Sequence, residues 1–210
     1  MLISFEGTEG CGKSTLIRHL LEKFKSAGIA AISTREPGGS PVAEKIRNLI
    51  LNDEMDPLTE LFLYESARAE HFVNTIAPAL KSKKVILCDR FIDSTIAYQG
   101  FARGLKLGVI ETLNKVATNG HAPDLTFFLD LPVEEGLARA TDPNKFEKAG
   151  IEFQKKVRKG FLYSIRKNKK RWCVLKVKNR TPESIAEEAF EIILKKLKPA
   201  KRARKKVSRK

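Results

Sequence analysis

The sequence has few cysteines and no long apolar segment, and these absences exclude several classes of protein. Its three cysteines, Cys11, Cys88 and Cys173, are far apart and form no CxxC pair, so neither a disulfide framework nor a zinc site is indicated. No apolar run approaches the roughly 18 residues that a membrane-spanning helix needs. The first residues, MLISFEG, lack the basic segment and small-residue cleavage site of a secretory signal. We therefore expect a cytoplasmic protein without a membrane segment.

Acidic residues are absent from the last thirteen positions, where eight lysines and arginines lie. The whole chain has 210 residues, 42% of them hydrophobic, and a net charge of +15. This length and composition suit a single domain, which we place at residues 1–198. Residues 199–210 have too little apolar surface to fold, so we expect a disordered basic tail there. Such a tail can touch nucleic acid, but basic charge alone does not make nucleic-acid binding the function.

Short apolar segments alternate with helical patterns along the chain, which predicts an α/β fold. The predicted strands are residues 2–6, 29–34, 85–89, 125–131 and 172–177. The predicted helices are residues 14–28, 41–52, 58–82, 106–118, 150–168 and 182–197, with a bend at Pro78. These elements should form a five-stranded parallel sheet between two helical layers, with ligands beyond the carboxyl ends of the strands. A polar, turn-rich stretch at about 140–150 suits a movable flap.

The segment FEGTEGCGKST, residues 5–15, carries the strongest motif. It fits G-x-x-x-x-G-K-[ST], follows a predicted strand and opens a predicted helix, as a phosphate loop must. In such a loop the backbone N–H groups bind phosphate oxygens, Lys13 reaches the β and γ phosphates, and the Ser14 hydroxyl ligates Mg²⁺. Asp89, at the end of a predicted strand, is the expected acidic partner of Mg²⁺. The motif predicts ATP binding by Gly7, Thr8, Glu9, Gly10, Cys11, Gly12, Lys13, Ser14 and Thr15.

Three further motifs stand in a fixed order after the loop: TREPGG at 34–39, ESAR at 65–68 and DRFIDSTIAYQG at 89–100. With this order and spacing, the chain resembles the bacterial thymidylate kinases over almost its whole length before the tail. The resemblance implies a P-loop NTPase-type fold and the Mg²⁺-dependent transfer of the γ-phosphoryl group of ATP to dTMP. It also implies a homodimer, the common state in this family.

The resemblance assigns roles around the acceptor nucleotide as well. Glu9 would accept a hydrogen bond from the 3′-hydroxyl of dTMP, which would explain a carboxylate inside a phosphate loop. Arg35 and Arg90 would hold the monophosphate, because a guanidinium group binds phosphate in a bidentate geometry. The remaining residues would surround base and sugar: Tyr64 stacking on thymine, Arg68 donating to O4, Thr95 near N3, Tyr98 against the sugar C2′ and Gln99 bridging to the base.

The phosphate loop has no arginine among its variable residues, so the resemblance implies that the flap supplies a cation to the reacting phosphoryl group. The family places an arginine before an apolar–acidic pair, whereas this chain has Lys145 before Phe146 and Glu147. We expect Lys145 to neutralise the transferring group. Arg139, at the end of a helix predicted over 132–140, would lie on adenine. Lys13, Arg90, Lys145 and Arg139 are thus the expected catalytic cations.

Two alternatives stay open at this point. A kinase for another nucleoside or nucleoside monophosphate would use the same phosphate loop, and its acceptor preference would reveal it. A P-loop ATPase that acts on nucleic acid would account for the positive charge and the tail. Its ATP hydrolysis would be stimulated by nucleic acid without any nucleotide acceptor.

Overall fold

Five parallel strands form the centre of the structure, a computed structural model that describes residues 1–139 and 145–197. The strands lie in the order β2-β3-β1-β4-β5. Their bounds are β1 Leu2–Glu6, β2 Ala31–Arg35, β3 Val85–Asp89, β4 Leu125–Asp130 and β5 Trp172–Lys176. The three central strands are buried almost throughout, which explains their continuous apolar runs. The predicted five-stranded parallel sheet is confirmed.

Helices cover both faces of this sheet. They are α1 Lys13–Ser26, α2 Pro41–Asn52, α3 Pro57–His71, α4 Ala77–Lys81, α5 Ile92–Thr95, α6 Leu107–Ala117, α7 Val133–Leu137, α8 Lys145–Lys148, α9 Gly150–Lys167 and α10 Pro182–Leu197. π-Helical turns at Phe72–Ile76 and Ile96–Ala102 follow α3 and α5. Five predicted helices are confirmed to within about two residues at each end, the usual uncertainty of a helix boundary. They are the helices predicted over 14–28, 41–52, 106–118, 150–168 and 182–197. The helical stretch from 92 to 102 was not predicted.

The predicted helix over 58–82 changes its hydrogen-bond register in the middle. The N–H of Ala77 bonds to the carbonyl of Phe72, five residues earlier, instead of four. Pro78 follows directly; it cannot donate a backbone hydrogen bond, and its ring crowds the carbonyl four residues before it. A wider turn relieves this crowding. The expected bend at Pro78 therefore takes the form of a π-helical turn just before the proline.

Two apolar clusters lie on opposite faces of the sheet. Phe127 and Phe128 are neighbours in β4, and their side chains point to opposite faces because strand residues alternate. Phe127 stacks on Phe5 with ring centres 5.4 Å apart, in the cluster that α1 and α10 cover. Phe128 packs with Phe161 of α9, at 5.6 Å. Both faces of the sheet are thus anchored, and the loops at its carboxyl edge rest on a rigid base.

Some expectations fall partly or wholly outside the described residues. Of the flap expected at about 140–150, residues 145–148 form α8 and α9 begins at Gly150, while 140–144 lie outside. The tail at 199–210 also lies outside, so its predicted disorder stays a prediction. Within the described parts of the chain, no helix combines the length and the apolar character needed to cross a membrane.

Candidate active site

The phosphate loop joins β1 to α1 at the carboxyl edge of the sheet. Gly10 and Gly12 have φ values of 69° and 92°, a left-handed backbone that glycine adopts without a Cβ penalty. The buried Lys13 ammonium donates to the carbonyl of Thr8 at 3.2 Å and lies 3.5 Å from that of Gly7. Beside the loop is a cavity of about 420 Å³, the phosphate cavity. Its wall includes Glu9, Gly10, Gly12, Lys13, Ser14 and Thr15.

Ser14 and Asp89 bring two side-chain oxygens together in the phosphate cavity. Asp89 ends β3 and is in register with Phe5 of the neighbouring β1, so parallel pairing brings its carboxylate beside the loop. Ser14 Oγ donates to Asp89 Oδ2 at 2.9 Å. Carboxylate and hydroxyl oxygens are hard ligands of the kind that Mg²⁺ prefers. The pair therefore fits a magnesium site, as the sequence predicts.

A second cavity, the outer cavity, also borders the loop and has a volume of about 640 Å³. Its wall includes Cys11, Leu16, Arg139 and residues 179–182. Arg139 also lines the phosphate cavity, and its Nη1 is 3.5 Å from the carbonyl oxygen of Gly10. It follows α7, which ends at Leu137 and not at 140 as expected. The structure thus brings Arg139 next to the predicted nucleotide-binding loop.

Glu9, Arg90 and Tyr98 meet where the phosphate loop faces the rest of the cleft. The Glu9 carboxylate accepts hydrogen bonds from Arg90 Nη2 at 2.7 Å and from the Tyr98 hydroxyl at 2.8 Å. Burial alone would raise the pKa of Glu9, but the positive charges of Arg90 and Lys13 and these hydrogen bonds lower it to about 2. Arg90 adopts φ 66°, a conformation that is uncommon outside glycine and tends to occur at functional sites. A charged cluster is thus fixed at the middle of the cleft.

A third cavity, the inner cavity, adjoins the phosphate cavity and has a volume of about 90 Å³. Glu9, Glu36, Arg47 and Arg90 line both cavities, so these side chains mark the boundary at which the two meet. The rest of the inner wall includes Pro37, Leu51, Tyr64, Arg68, Phe91, Ser94, Tyr98, Gln99 and Phe146. The sequence-predicted Tyr64, Arg68, Tyr98 and Gln99 therefore lie around one space. Its mixture of aromatic and hydrogen-bonding side chains suits a flat polar ring.

Arg68 is buried in the inner wall and held by four hydrogen bonds. Its Nε donates to Glu36 at 2.8 Å, and its Nη1 donates to Glu65 at 2.8 Å and Asn114 at 2.6 Å. Its Nη2 donates to the carbonyl of Phe91 at 3.3 Å. Burial would lower the pKa of Arg68, but the two carboxylates raise it above its usual range. The guanidinium is therefore charged and fixed, and Nη2 is its least engaged nitrogen.

Thr95 and Arg35 are both absent from the wall that the described residues form around the inner cavity. Thr95 is buried but does not line the inner cavity as the described residues form it. Its Oγ1 has no hydrogen-bond partner among the described residues. Arg35 lines the phosphate cavity, where its Nη2 donates to Glu44 at 3.0 Å. Thr95 is therefore not part of the described inner wall, and its contact with the base stays a prediction. Arg35 can still reach an anion in the phosphate cavity.

Lys145 lies away from the phosphate cavity. Its ammonium is 3.2 Å from the carboxylate of Glu60 and donates to the carbonyl of Asp53 at 3.0 Å. It does not appear in the walls that the described residues form around the phosphate and outer cavities. In this arrangement Arg90, Lys13 and Arg139 meet at the phosphate cavity, whereas Lys145 does not join them.

Sequence reasoning missed several residues of the inner wall. Glu36 accepts hydrogen bonds from Arg68 and, at 2.9 Å, from His71 Nδ1. Arg47 donates to the carbonyl of Pro37 at 2.7 Å. The motif TREPGG contains Glu36 and could have indicated it, but Arg47 lies on an ordinary amphipathic helix with no signal of its own. Long-range packing alone brings these side chains to the site.

Comparisons with known proteins agree with this geometry. A family model described as thymidylate kinase matches residues 5–189. A thymidylate kinase of Wolbachia pipientis is 44% identical over 94% of this chain and 98% of its own length. One of Trichlorobacter lovleyi is 41% identical over the same shares. A solved thymidylate kinase of Ehrlichia chaffeensis superimposes with a TM-score of 0.77 at 36% identity, over 92% of this chain and 98% of that one.

Proposed function

This chain belongs to the thymidylate kinase family, and we propose that its joined cavities transfer the γ-phosphoryl group of ATP to dTMP, giving ADP and dTDP. The observation that carries the proposal is the shared wall. Glu9 and Arg90 line both the inner and the phosphate cavity. A nucleoside in the inner cavity would thus present its phosphate to the phosphate loop, as direct transfer between two bound nucleotides requires.

The donor side of the proposal uses the phosphate loop. The N–H groups at the start of α1 and the Lys13 ammonium would bind the phosphates of ATP, and Arg139 would contact its adenine. Ser14 and Asp89 would hold Mg²⁺, which neutralises negative charge on the phosphates when bound. This chain's own contribution is to orient the γ-phosphoryl group with Lys13 and to face it with the cations of the cleft.

The acceptor side uses the inner cavity. Tyr64 would stack on thymine, with Arg68 Nη2 and Gln99 as hydrogen-bond donors to the base. Glu9 would accept a hydrogen bond from the 3′-hydroxyl, and Tyr98 would leave no room for a 2′-hydroxyl. Arg90 and Arg35 would hold the monophosphate, assisted by Arg47. This set favours a pyrimidine deoxynucleotide over a ribonucleotide.

In the proposed reaction an oxygen of the dTMP phosphate attacks the γ phosphorus of ATP in line with the β–γ bridging oxygen. The new P–O bond forms as the bridging bond breaks, and ADP leaves with the bonding electrons. No covalent enzyme intermediate is needed. Arg90 and Lys13 would stabilise the charge on the equatorial oxygens, so positioning and neutralisation supply the rate enhancement.

We also propose that the chain acts as a homodimer in the cytoplasm. Exposed apolar side chains occur on three neighbouring helices, α2, α3 and α6: Val42, Leu49, Phe62, Val109 and Val116. Covering these side chains in a dimer would remove apolar surface from water, and sedimentation velocity measures the resulting mass directly. The free thiols of Cys11, Cys88 and Cys173 suit a reducing compartment.

An acceptor panel tests the proposed function. ADP formation should require dTMP, and dTMP should exceed dCMP and thymidine in kcat/KM by about 10²-fold or more, because each alternative leaves a polar group of the site unpaired. Equal use of thymidine would instead indicate a nucleoside kinase. ATP hydrolysis that rises with nucleic acid and ignores dTMP would replace the proposal by the ATPase alternative.

A further inference from the structure

Glu60, on α3, is a buried carboxylate that three other side chains contact. None of its surface is exposed. Gln99 Nε2 donates to Oε1 at 2.8 Å, and Arg103 donates to both oxygens, at 3.3 and 3.0 Å. The Lys145 ammonium lies 3.2 Å from Oε2. One carboxylate therefore links α3 to three places in the chain. These are the π-helical turn at Ile96–Ala102, Arg103 directly after that turn, and α8.

The partners of Glu60 either line the inner cavity or support its wall. Gln99 lines the cavity directly. Arg103 and Lys145 lie over the ring of Phe146, at 6.0 and 5.3 Å from its centre. Phe146 is also part of the wall and meets Tyr98 edge-on, with ring centres 5.6 Å apart. Glu60 thus fixes two sides of the cavity without forming part of the wall itself.

We propose that Glu60 is a positioning residue for the acceptor nucleotide, acting through Gln99 on one side and through Lys145 and Phe146 on the other. The inference rests on the proposed function, because it takes dTMP as the ligand of the inner cavity. Glu60 and its direct partners are absent from the walls that the described residues form around the phosphate and outer cavities. Glu60 therefore acts on dTMP binding and leaves ATP binding unchanged.

The negative charge of Glu60 is the property that holds this cluster together. A buried carboxylate is costly unless cations and donors surround it, and here Arg103 and Lys145 do so with side chains 27% and 10% exposed. A carboxamide of the same size would keep one hydrogen bond to Gln99 but would not attract the two cations. Lys145 would then be free to leave α3, and Phe146 would lose the support of its flanking charges.

Glu60→Gln tests the inference through steady-state kinetics with each substrate varied in turn. The KM for dTMP should rise about 10-fold or more, because charge-assisted contacts that order its site are lost, while the KM for ATP should stay within about twofold. Glu111→Gln is a matched control, since it breaks another carboxylate–lysine pair, with Lys167 on the surface of α9. Both KM values of this control should equal those of the wild type.

Lys145→Met is a second test, and it remains valid even if Glu60→Gln fails to fold. In Lys145→Met the buried Glu60 carboxylate is still paired with Arg103. This variant should raise the KM for dTMP several-fold and change kcat little. A fall of about 10³-fold in kcat at unchanged KM would assign Lys145 to the phosphoryl group instead and overturn the inference. Equal rises in both KM values, or none, would also overturn it.

A wild type that forms ADP without dTMP would refute the proposed function instead. This outcome is therefore distinguishable from the failure of the inference about Glu60.

Discussion

A single carboxylate inside the phosphate loop shows how residue chemistry defines this cleft. Glu9 lies next to a site for anions, where a negative charge should repel the ligand. Arg90 and Tyr98 donate hydrogen bonds to its carboxylate, and the pKa of Glu9 is lowered to about 2. The residue is therefore ionised at neutral pH and can accept a hydrogen bond from a sugar hydroxyl. Its charge also keeps Arg90 in place between the two cavities.

Glu6, at the end of β1, supplies a pH-dependent prediction. Burial, together with the negative charge of Asp93, raises the pKa of Glu6 to about 8, even though Ser94 and the N–H of Phe91 donate to it. A carboxyl group with a raised pKa favours the folded state at low pH and loses this contribution as pH rises toward the folded pKa. Glu6→Gln should therefore gain stability over the wild type between about pH 5 and 8, by about 1–3 kcal/mol.

Urea unfolding of both proteins at several pH values measures this effect. The difference between the two free energies of unfolding should grow with pH and level off above about pH 8, where the wild-type carboxyl is ionised in both states. Parallel curves over the whole range would show that the pKa of Glu6 is ordinary.

At the scale of elements, the contact between the phosphate loop and α7 determines the position of the loop. A Cβ added to Gly136 would lie 2.3 Å from the carbonyl oxygen of Glu9, and one added to Gly10 would lie 1.9 Å from the carbonyl oxygen of Gly136. The atoms that an added Cβ would meet belong to the backbone and not to a flexible side chain. Relieving the clash would therefore require the loop itself to move. Gly136→Ala should lower kcat/KM by about 10-fold or more, because the loop's donors would leave their positions.

Gly108→Ala, in the first turn of α6, is the control for that variant. No atom lies within 4 Å of its added Cβ, and alanine favours a helix over glycine by up to about 1 kcal/mol. This variant should keep its activity and unfold at a slightly higher temperature. If Gly136→Ala behaves in the same way, then the close contact of α7 with the loop has no functional effect.

The elements that the sequence predicted best are those whose signal is local. The phosphate loop, the five strands and the long amphipathic helices follow from motif, apolar runs and periodicity. The π-helical turn at Ile96–Ala102 was missed because its apolar residues, such as Ile96 and Ala97, do not stand out from a buried strand or loop. Its register depends on packing against α9, which no local pattern records.

The site was predictable where the family pattern is strict and less so elsewhere. Tyr64, Arg68 and Gln99 lie around one cavity as the resemblance implied, whereas Thr95 is not among the lining residues of that cavity. Lys145 departs from the family's arginine, and the carboxylate of Glu60, buried 85 positions away along the chain, determines where its ammonium lies. Such distant pairings cannot be read from one sequence.

At the scale of the whole molecule, the central claim is that donor and acceptor sites form one continuous cleft. Each site alone occurs in many proteins that bind nucleotides, but only a shared wall permits direct transfer between two of them. The walls of the inner and phosphate cavities share Glu9, Glu36, Arg47 and Arg90, and Arg139 connects the phosphate cavity to the outer one. A ligand of sufficient length should therefore occupy all three.

Calorimetric titration with adenosine and thymidine joined through five phosphates, in the presence of Mg²⁺, tests this claim most directly. The account predicts one molecule bound per chain, with a Kd about 10²-fold or more below that of ATP, because the second nucleoside binds at high effective concentration. dTMP added to the saturated protein should release no further heat. An affinity equal to that of ATP, with dTMP still binding as before, would contradict the claim that the two sites form one cleft.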